Sequence, residues 1–382
     1  MAKTLARQAM IKAGFGFDIF CRVVDNYGDI GVCWRLAKQL ADHPHSGPVR
    51  LWVDDLASFA RIEQSIDTGA SRQILRNIEL VHWTSSTPNV LPHDVVIEAF
   101  GCVPPAPFIE RMHDRQSLWI NLEYLSAEEW IEGCHGLPSL QANGLQKHFF
   151  FPGFTETTGG LLREPALAAD RTQWLAHAES RLRLLRSLGM PEKLLERLAA
   201  GWRQVFLFCY GHAPAQALAQ ALTHSDRPSV VIVPQGVLPD MTALQSDKLQ
   251  VFESPFVDQD DFDRLLWSSD LNIVRGEDSL LRAVWAEKPF VWHIYPQEHD
   301  THMVKLGAWL EQARLGAITQ SVFQNWNTGD MAGTEQSLRQ ALQPEAWSAW
   351  RCDTASLARR LAAQTSLTER LLAFCAEKAD TG

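Results

Sequence analysis

The stretch Leu271 to Lys288, LNIVRGEDSLLRAVWAEK, constrains the fold most. A short apolar run (Leu271 to Val274) meets Arg275-Gly276-Glu277-Asp278-Ser279 and then an amphipathic helical pattern, so a strand turns sharply into a helix. A helix beginning just after Gly276 presents unpaired backbone N–H groups and the positive end of its dipole. With Arg275 beside it, such a turn can hold a phosphate or pyrophosphate. The bland alternative is a well-capped turn, since Asp278 and Ser279 are capping residue types.

A second loop of the same kind lies near the N-terminus. Phe17 to Val24 has strand length, Asp25-Asn26-Tyr27-Gly28-Asp29-Ile30-Gly31 follows, and VCWRLAKQLADH then takes helical spacing. The dinucleotide fingerprint Gly-x-Gly-x-x-Gly is absent, which counts against a nicotinamide-dependent oxidoreductase. In its place stand two carboxylates, Asp25 and Asp29, at the carboxyl end of a strand, where α/β sheets put their ligands. Their bland roles are an Asx-turn for Asp25 and a helix N-cap for Asp29.

Strand-like runs continue at Val49 to Val53, Ile78 to Trp83, Val95 to Phe100 and Leu118 to Leu122, alternating with helical or polar stretches. This predicts a mostly parallel, helix-covered sheet. Glu123 and Tyr124 leave the last of these strands at the edge where sites form; loop hydrogen bonding is their bland role. Gly144 to Leu161 is aromatic and glycine-rich and reads as an interdomain passage. After a helical stretch (Trp174 to Ala200) a second series follows: strand Val205 to Tyr210 before Gly211-His212, helix Pro214 to Thr223, strands Val230 to Pro234, Leu249 to Phe252 and Leu271 to Val274, and strand Phe290 to His293 with Tyr295 at its exit. Two doubly wound halves facing each other across a cleft form the simplest assembly. Trp347 to Lys378 is helical in composition, and such a terminal helix can cross back onto the first domain.

The 382 residues suffice for two domains, and 46% hydrophobic with 21% charged residues describes a soluble globular protein. A net charge of -10 argues against a nucleic-acid surface, and a cytosolic protein is the expectation. Seven cysteines without a Cys-x-x-Cys pair make neither a disulfide framework nor a zinc ribbon. The basic segment 1–16 lacks the apolar stretch of a signal peptide and reads as an extension before the first strand; no run approaches a membrane span. His299 and His302 lie three apart on an expected helix, with surface or packing roles favoured over a metal.

The segments VVDNYGDIGVCWRLA, LWVDDL, INLEYLSAEEW, PFVDQDDFDRLLW, VRGEDSLLRA and PFVWHIYPQ resemble, in order, those of the EarP family, the protein-arginine rhamnosyltransferases that modify bacterial elongation factor P. The resemblance implies an α/β fold of the GT-B class, two Rossmann-like domains with the active site between them. It implies an acceptor-side domain over 17–160 and a nucleotide-sugar domain over 161–359; the terminal helix (about 360–382) can pack back on the first. It further implies dTDP-β-L-rhamnose as donor, no separate cofactor, and an arginine of elongation factor P as acceptor, glycosylated with inversion. By motif, Phe256 and Gln259 hold the thymine, Tyr210 the nucleoside region, and Arg275, Asp278, Ser279 and Tyr295 the ribose and diphosphate. Asp25, Asp29 and Glu277 surround the reacting centre.

Guanidinium has a pKa near 13.8, so a lone carboxylate cannot deprotonate it at equilibrium. Several carboxylates can instead accept its forked hydrogen bonds and take one proton as the new bond forms. Asp29 is therefore read as the general base, with Asp25 and Glu277 holding and polarising the guanidinium. Arg275 and the helix N-terminus would stabilise the leaving diphosphate without a metal. Recognition of one arginine of one protein calls for a protein–protein surface, expected mainly on the N-terminal domain. The competing readings are a GT-B transferase with a related nucleotide sugar and a small-molecule acceptor, and a non-catalytic binding protein of the same fold.

Overall fold

The computed structural model describes residues 14–24, 27–84 and 89–381. They fall into two compact units, one within Met1–Glu164 and Gln364–Gly382, the other Pro165–Ala363.

The first unit carries eight strands: β1 (Phe15–Cys21), β2 (Ser46–Val53), β3 (Arg72–Leu75), β4 (Ile78–His82), β5 (Val95–Ala99), β6 (Leu118–Leu122), β7 (Pro138–Leu140) and β8 (Gln146–Phe150). Their order is β3-β4-β2-β1-β5-β6-β8-β7. From β4 to β8 every pairing is parallel, and β3 and β7 close the edges antiparallel. All seven β1 residues are buried, as expected of a central strand covered on both faces. Asp18 sits in that run because its carboxylate is compensated: Arg50 Nη1 and Trp52 Nε1 each donate to it at 2.9 Å, and the His93 amide at 2.7 Å. Phe20 stacks on Trp52 (centroids 5.0 Å, 6° between planes), with Phe108 edge-on to both.

The segment expected to be an interdomain passage is instead partly sheet, since β8 pairs with β6. Its alternation of buried and half-exposed residues is that of a strand, which the aromatic run Phe149 to Phe151 conceals. Gly159 must be glycine, because a Cβ there would stand 2.5 Å from the Phe150 ring. The terminal helix Leu367–Thr381 packs on this unit: Thr368 Oγ1 donates to Gln39 Oε1 at 2.7 Å, and Phe374 meets Phe150 edge-on at 5.7 Å.

The second unit is an all-parallel sheet of β9 (Arg203–Leu207), β10 (Ser229–Pro234), β11 (Leu249–Ser254), β12 (Leu271–Arg275) and β13 (Phe290–His293), ordered β11-β10-β9-β12-β13. In each sheet the strand order turns around at the first strand: β1 lies between β2 and β5, and β9 between β10 and β12. Those switch points open crevices at the carboxyl ends.

Candidate active site

At the carboxyl end of β1, Val23 and Val24 are pinned by their amides, which donate to Asp54 Oδ1 and Asp29 Oδ2, both at 2.9 Å. Asp54 opens the LWVDDL pair, and its neighbour Asp55 caps the helix Leu56–Ile62 by accepting the Ser58 amide at 3.0 Å. Asp29 does not cap its helix. The helix Gly28–Ala41 begins with Tyr27 in the N-cap place, so Asp29 stands inside the first turn, where a carboxylate meets the positive dipole end. Only 2% of Asp29 is exposed. The contact with Cys33, and then burial, push the Cys21 thiol well up, while burial pushes the Cys33 thiol up against the opposing effect of the same contact, so both stay protonated. Asp25 lies outside the described residues.

In the second unit the switch point between β9 and β12 brings Tyr210 and Arg275 together. Arg275 Nη1 donates to the Cys209 carbonyl at 3.1 Å, and its guanidinium lies 4.6 Å from the Phe208 ring centre and 4.9 Å from that of Tyr210. Tyr295, 54% exposed, meets Tyr210 edge-on at 5.5 Å. The following helix starts one residue earlier than expected, spanning Gly276–Trp285 with Arg275 in the N-cap place. Gly276 allows this with φ of 64°, and its carbonyl accepts Trp292 Nε1 at 3.0 Å. Neither Asp278 nor Ser279 caps it: both lie within the helix, Ser279 half-buried, while Asp278 Oδ2 accepts Arg282 Nε at 2.8 Å. Glu277 stands half-buried in the same first turn.

Arg282 was not anticipated from sequence, and it ties the expected donor-binding elements together. Its side chain is 4% exposed and donates through Nη1 to Asp263 Oδ2 at 2.8 Å and to the Gln259 carbonyl at 3.4 Å. Gln259 opens the helix Gln259–Ser268, which Asp258 caps by accepting the Asp261 amide at 2.8 Å. Phe256 stands half-buried three residues before it. The spacing of Asp278 and Arg282, four apart on one helix, was the available signal.

A histidine pair also went unassigned. The Tyr210 amide donates to His293 Nδ1 at 3.3 Å, so that nitrogen carries no proton. His293 Nε2 therefore holds the hydrogen and donates to His212 Nε2 at 3.0 Å. Burial first, then His212, Arg275 and His302, push the pKa of His293 down to about 3. His293 is therefore neutral and adds no charge beside Arg275.

His299 and His302 do not share a helix. His299 and Asp300 take left-handed φ of 56°, and the helix Thr301–Ala313 begins after them. His302 is buried, accepting the Gln297 amide on Nδ1 at 3.2 Å. Among the described residues no group of three or more His, Cys, Asp or Glu could hold a metal ion, and no helix is long and apolar enough to cross a membrane.

A family model described as Elongation-Factor P (EF-P) rhamnosyltransferase EarP matches residues 17–376. A protein-arginine rhamnosyltransferase of Pseudomonas aeruginosa is 44% identical, the match covering 94% of this chain and 99% of that protein. Another, of Pseudomonas putida, is 45% identical over 85% of this chain and 90% of that one. The solved structure described as the basis for EarP-mediated arginine glycosylation of translation elongation factor EF-P is 31% identical, with a TM-score of 0.64 over 94% of this chain and 98% of its own. With two α/β units of the GT-B class and a match along most of its length, the chain belongs to the EarP family of EF-P rhamnosyltransferases, a family of glycosyltransferases.

Proposed function

We propose that this chain transfers L-rhamnose from dTDP-β-L-rhamnose to a single arginine of elongation factor P, with inversion at the anomeric carbon, in the cytoplasm. The observation that carries the donor half is Arg275, held across Phe208 and Tyr210 at a helix N-terminus on a switch point. A diphosphate docks there on the guanidinium and the first amides of the helix, beside Ser279 and Tyr295, with Asp278 toward the ribose. The nucleoside extends past Tyr210 to thymine at Phe256 and Gln259. As the sugar–phosphate bond breaks, charge grows on the leaving oxygen, and preorganised donors of this kind are worth about 3–4 kcal/mol each. This reading needs no metal and no separate cofactor.

On the acceptor side Asp29 is the general base. What supports this role is its place at the exit of β1, where its Oδ2 takes the Val24 amide. Asp25 and Glu277 accept further N–H groups and hold the attacking nitrogen in line. The nitrogen forms its bond to the anomeric carbon as Asp29 takes the proton and dTDP departs, so no free neutral guanidine is required.

The test is the intact mass of elongation factor P after incubation with this protein and dTDP-β-L-rhamnose, with the acceptor arginine replaced as control. A gain of one deoxyhexose that vanishes in the control is the expected result. No gain, with the nucleotide sugar still bound, refutes the acceptor and leaves a transferase that acts on a small molecule.

A further inference from the structure

The reading above uses the exit of β1 but not those of β5 and β6, its successive neighbours in the same parallel sheet. Because the three strands run the same way, the helix start bearing Asp29, the pair Phe100-Gly101 and the pair Glu123-Tyr124 all lie at one edge. Neighbouring exits are about 5 Å apart.

The chain leaves β5 through two consecutive left-handed residues, Phe100 (φ 58°) and Gly101 (φ 71°). Glycine takes this conformation freely; phenylalanine does not. The turn lays the Phe100 ring flat on that of Tyr124, centroids 4.4 Å apart and 16° between planes. The arrangement is braced from below. The Phe100 amide donates to the Leu122 carbonyl at 2.7 Å, and the Gly101 amide to Asn121 Oδ1 at 3.2 Å. The other end of the same buried amide, Asn121 Nδ2, donates to Glu123 Oε1 at 2.6 Å. One asparagine thus fixes both the strained turn and the carboxylate. Tyr124 nonetheless stays 37% exposed, and Phe100 and Glu123 are half-buried, so the stack is not simply core.

A flat aromatic face with a carboxylate at its rim suits a planar, weakly hydrated cation that stacks on rings and donates in its own plane. That describes guanidinium better than ammonium. We propose that Phe100 and Tyr124, with Glu123 at the rim, form the plate on which the acceptor arginine lies as it is presented to Asp29. The proposal rests on the reading that the acceptor is an arginine of elongation factor P. It adds positioning residues that touch the substrate without exchanging its protons.

The experiment is a double-mutant cycle in binding, independent of turnover. Kd for elongation factor P is measured with wild-type, Tyr124→Ala, Tyr124→Trp and Phe100→Gly enzyme, each against the acceptor with its arginine and with that arginine replaced by alanine. Phe100→Gly removes the ring while suiting the left-handed backbone, so it stands in if Tyr124→Ala fails to fold. The arginine should tighten binding by about 3- to 30-fold through the plate. That advantage should disappear in Tyr124→Ala and Phe100→Gly and persist in Tyr124→Trp, with Kd for the nucleotide sugar unchanged. An undiminished advantage in folded Tyr124→Ala or Phe100→Gly enzyme overturns the plate, as does equal weakening toward donor and acceptor. If wild-type enzyme neither binds nor modifies elongation factor P, the acceptor assignment falls and the plate with it; an undiminished advantage in the variants overturns the plate alone and leaves the transferase reading intact.

Discussion

Replacing Arg282 by methionine tests the inner scaffold of the proposed donor half most directly. The side chain carries buried ion pairs to Asp278 and Asp263, whose own side chains are 10% and 12% exposed, and a further bond to the Gln259 carbonyl. Methionine fills much of the volume but leaves two carboxylates without their cation. Breaking a buried pair by removing one partner costs about 3–5 kcal/mol, chiefly the cost of the stranded charge. With a urea slope of about 2–3 kcal/mol per molar for a unit of this size, the unfolding midpoint should fall by about 1–2 M. The loss should shrink toward acid pH, because protonating the stranded carboxylates removes the unpaired charge. Affinity for dTDP should also fall, since Arg282 is what joins the turn at Gln259 to the helix that follows Arg275. Urea melts at several pH values, paired with calorimetric titration of dTDP, measure both effects. A midpoint shift under about 0.3 M that ignores pH would refute the argument, showing that water or rearrangement already compensates the two acids.

Asp29→Ala should lower turnover by about 10²- to 10⁴-fold while leaving the affinity for dTDP-rhamnose as it is, read from steady-state rates and donor titration; near-normal turnover would remove Asp29 as the base. Arg275→Ala should weaken donor binding and slow the chemical step together, by about 10²- to 10³-fold in kcat/KM. For His293 the sign follows from its depressed pKa: between its ordinary value of 6.5 and about 3 the unfolded chain holds a proton that the folded chain refuses. Its contribution is thus fully present above pH 6.5 and is lost as pH falls through that window, at about 1.4 kcal/mol per pH unit. His293→Asn should flatten the stability profile there, and parallel wild-type and variant profiles in chemical denaturation would show that His293 is not held neutral.

The fold was largely legible because its central strands are short apolar runs, and burial on both faces makes such runs continuous rather than alternating. Leu118 to Leu122 and Phe290 to His293 match the observed strands residue for residue. β3, β7 and β8 were missed for the opposite reason. β3 and β7 are exposed antiparallel edge strands whose apolar content is too low to stand out, and β8 hides in a run of aromatics. The helix after Arg275 was visible, but its first residue depended on the left-handed Gly276 and on Trp292, sixteen positions away, reaching back to its carbonyl. No local pattern encodes that contact.

The candidate site divides along the same line. Residues whose chemistry is apparent from their own type, Arg275 beside a helix start or Asp29 beside a strand end, can be read from sequence because strand–loop–helix order alone puts them at a carboxyl edge. Residues that act by fixing others cannot. Arg282 matters through Asp263, nineteen positions earlier, His293 through an amide eighty-three positions earlier, and Asn121 through a turn made by another strand. In each case the partner is supplied by parallel strand order or helix packing, so its significance appears only once β9 lies beside β12 and β5 beside β6. Strand order is therefore the informative intermediate: a first strand flanked on both sides by later ones marks the crevice, and the side chains at the exits of its neighbours are those to search for ligand contacts. Applied to the N-terminal sheet, that rule leads from β1 to Tyr124, whose edge position the sequence already indicated, and to Phe100, which no motif for phosphate or carboxylate chemistry would have selected.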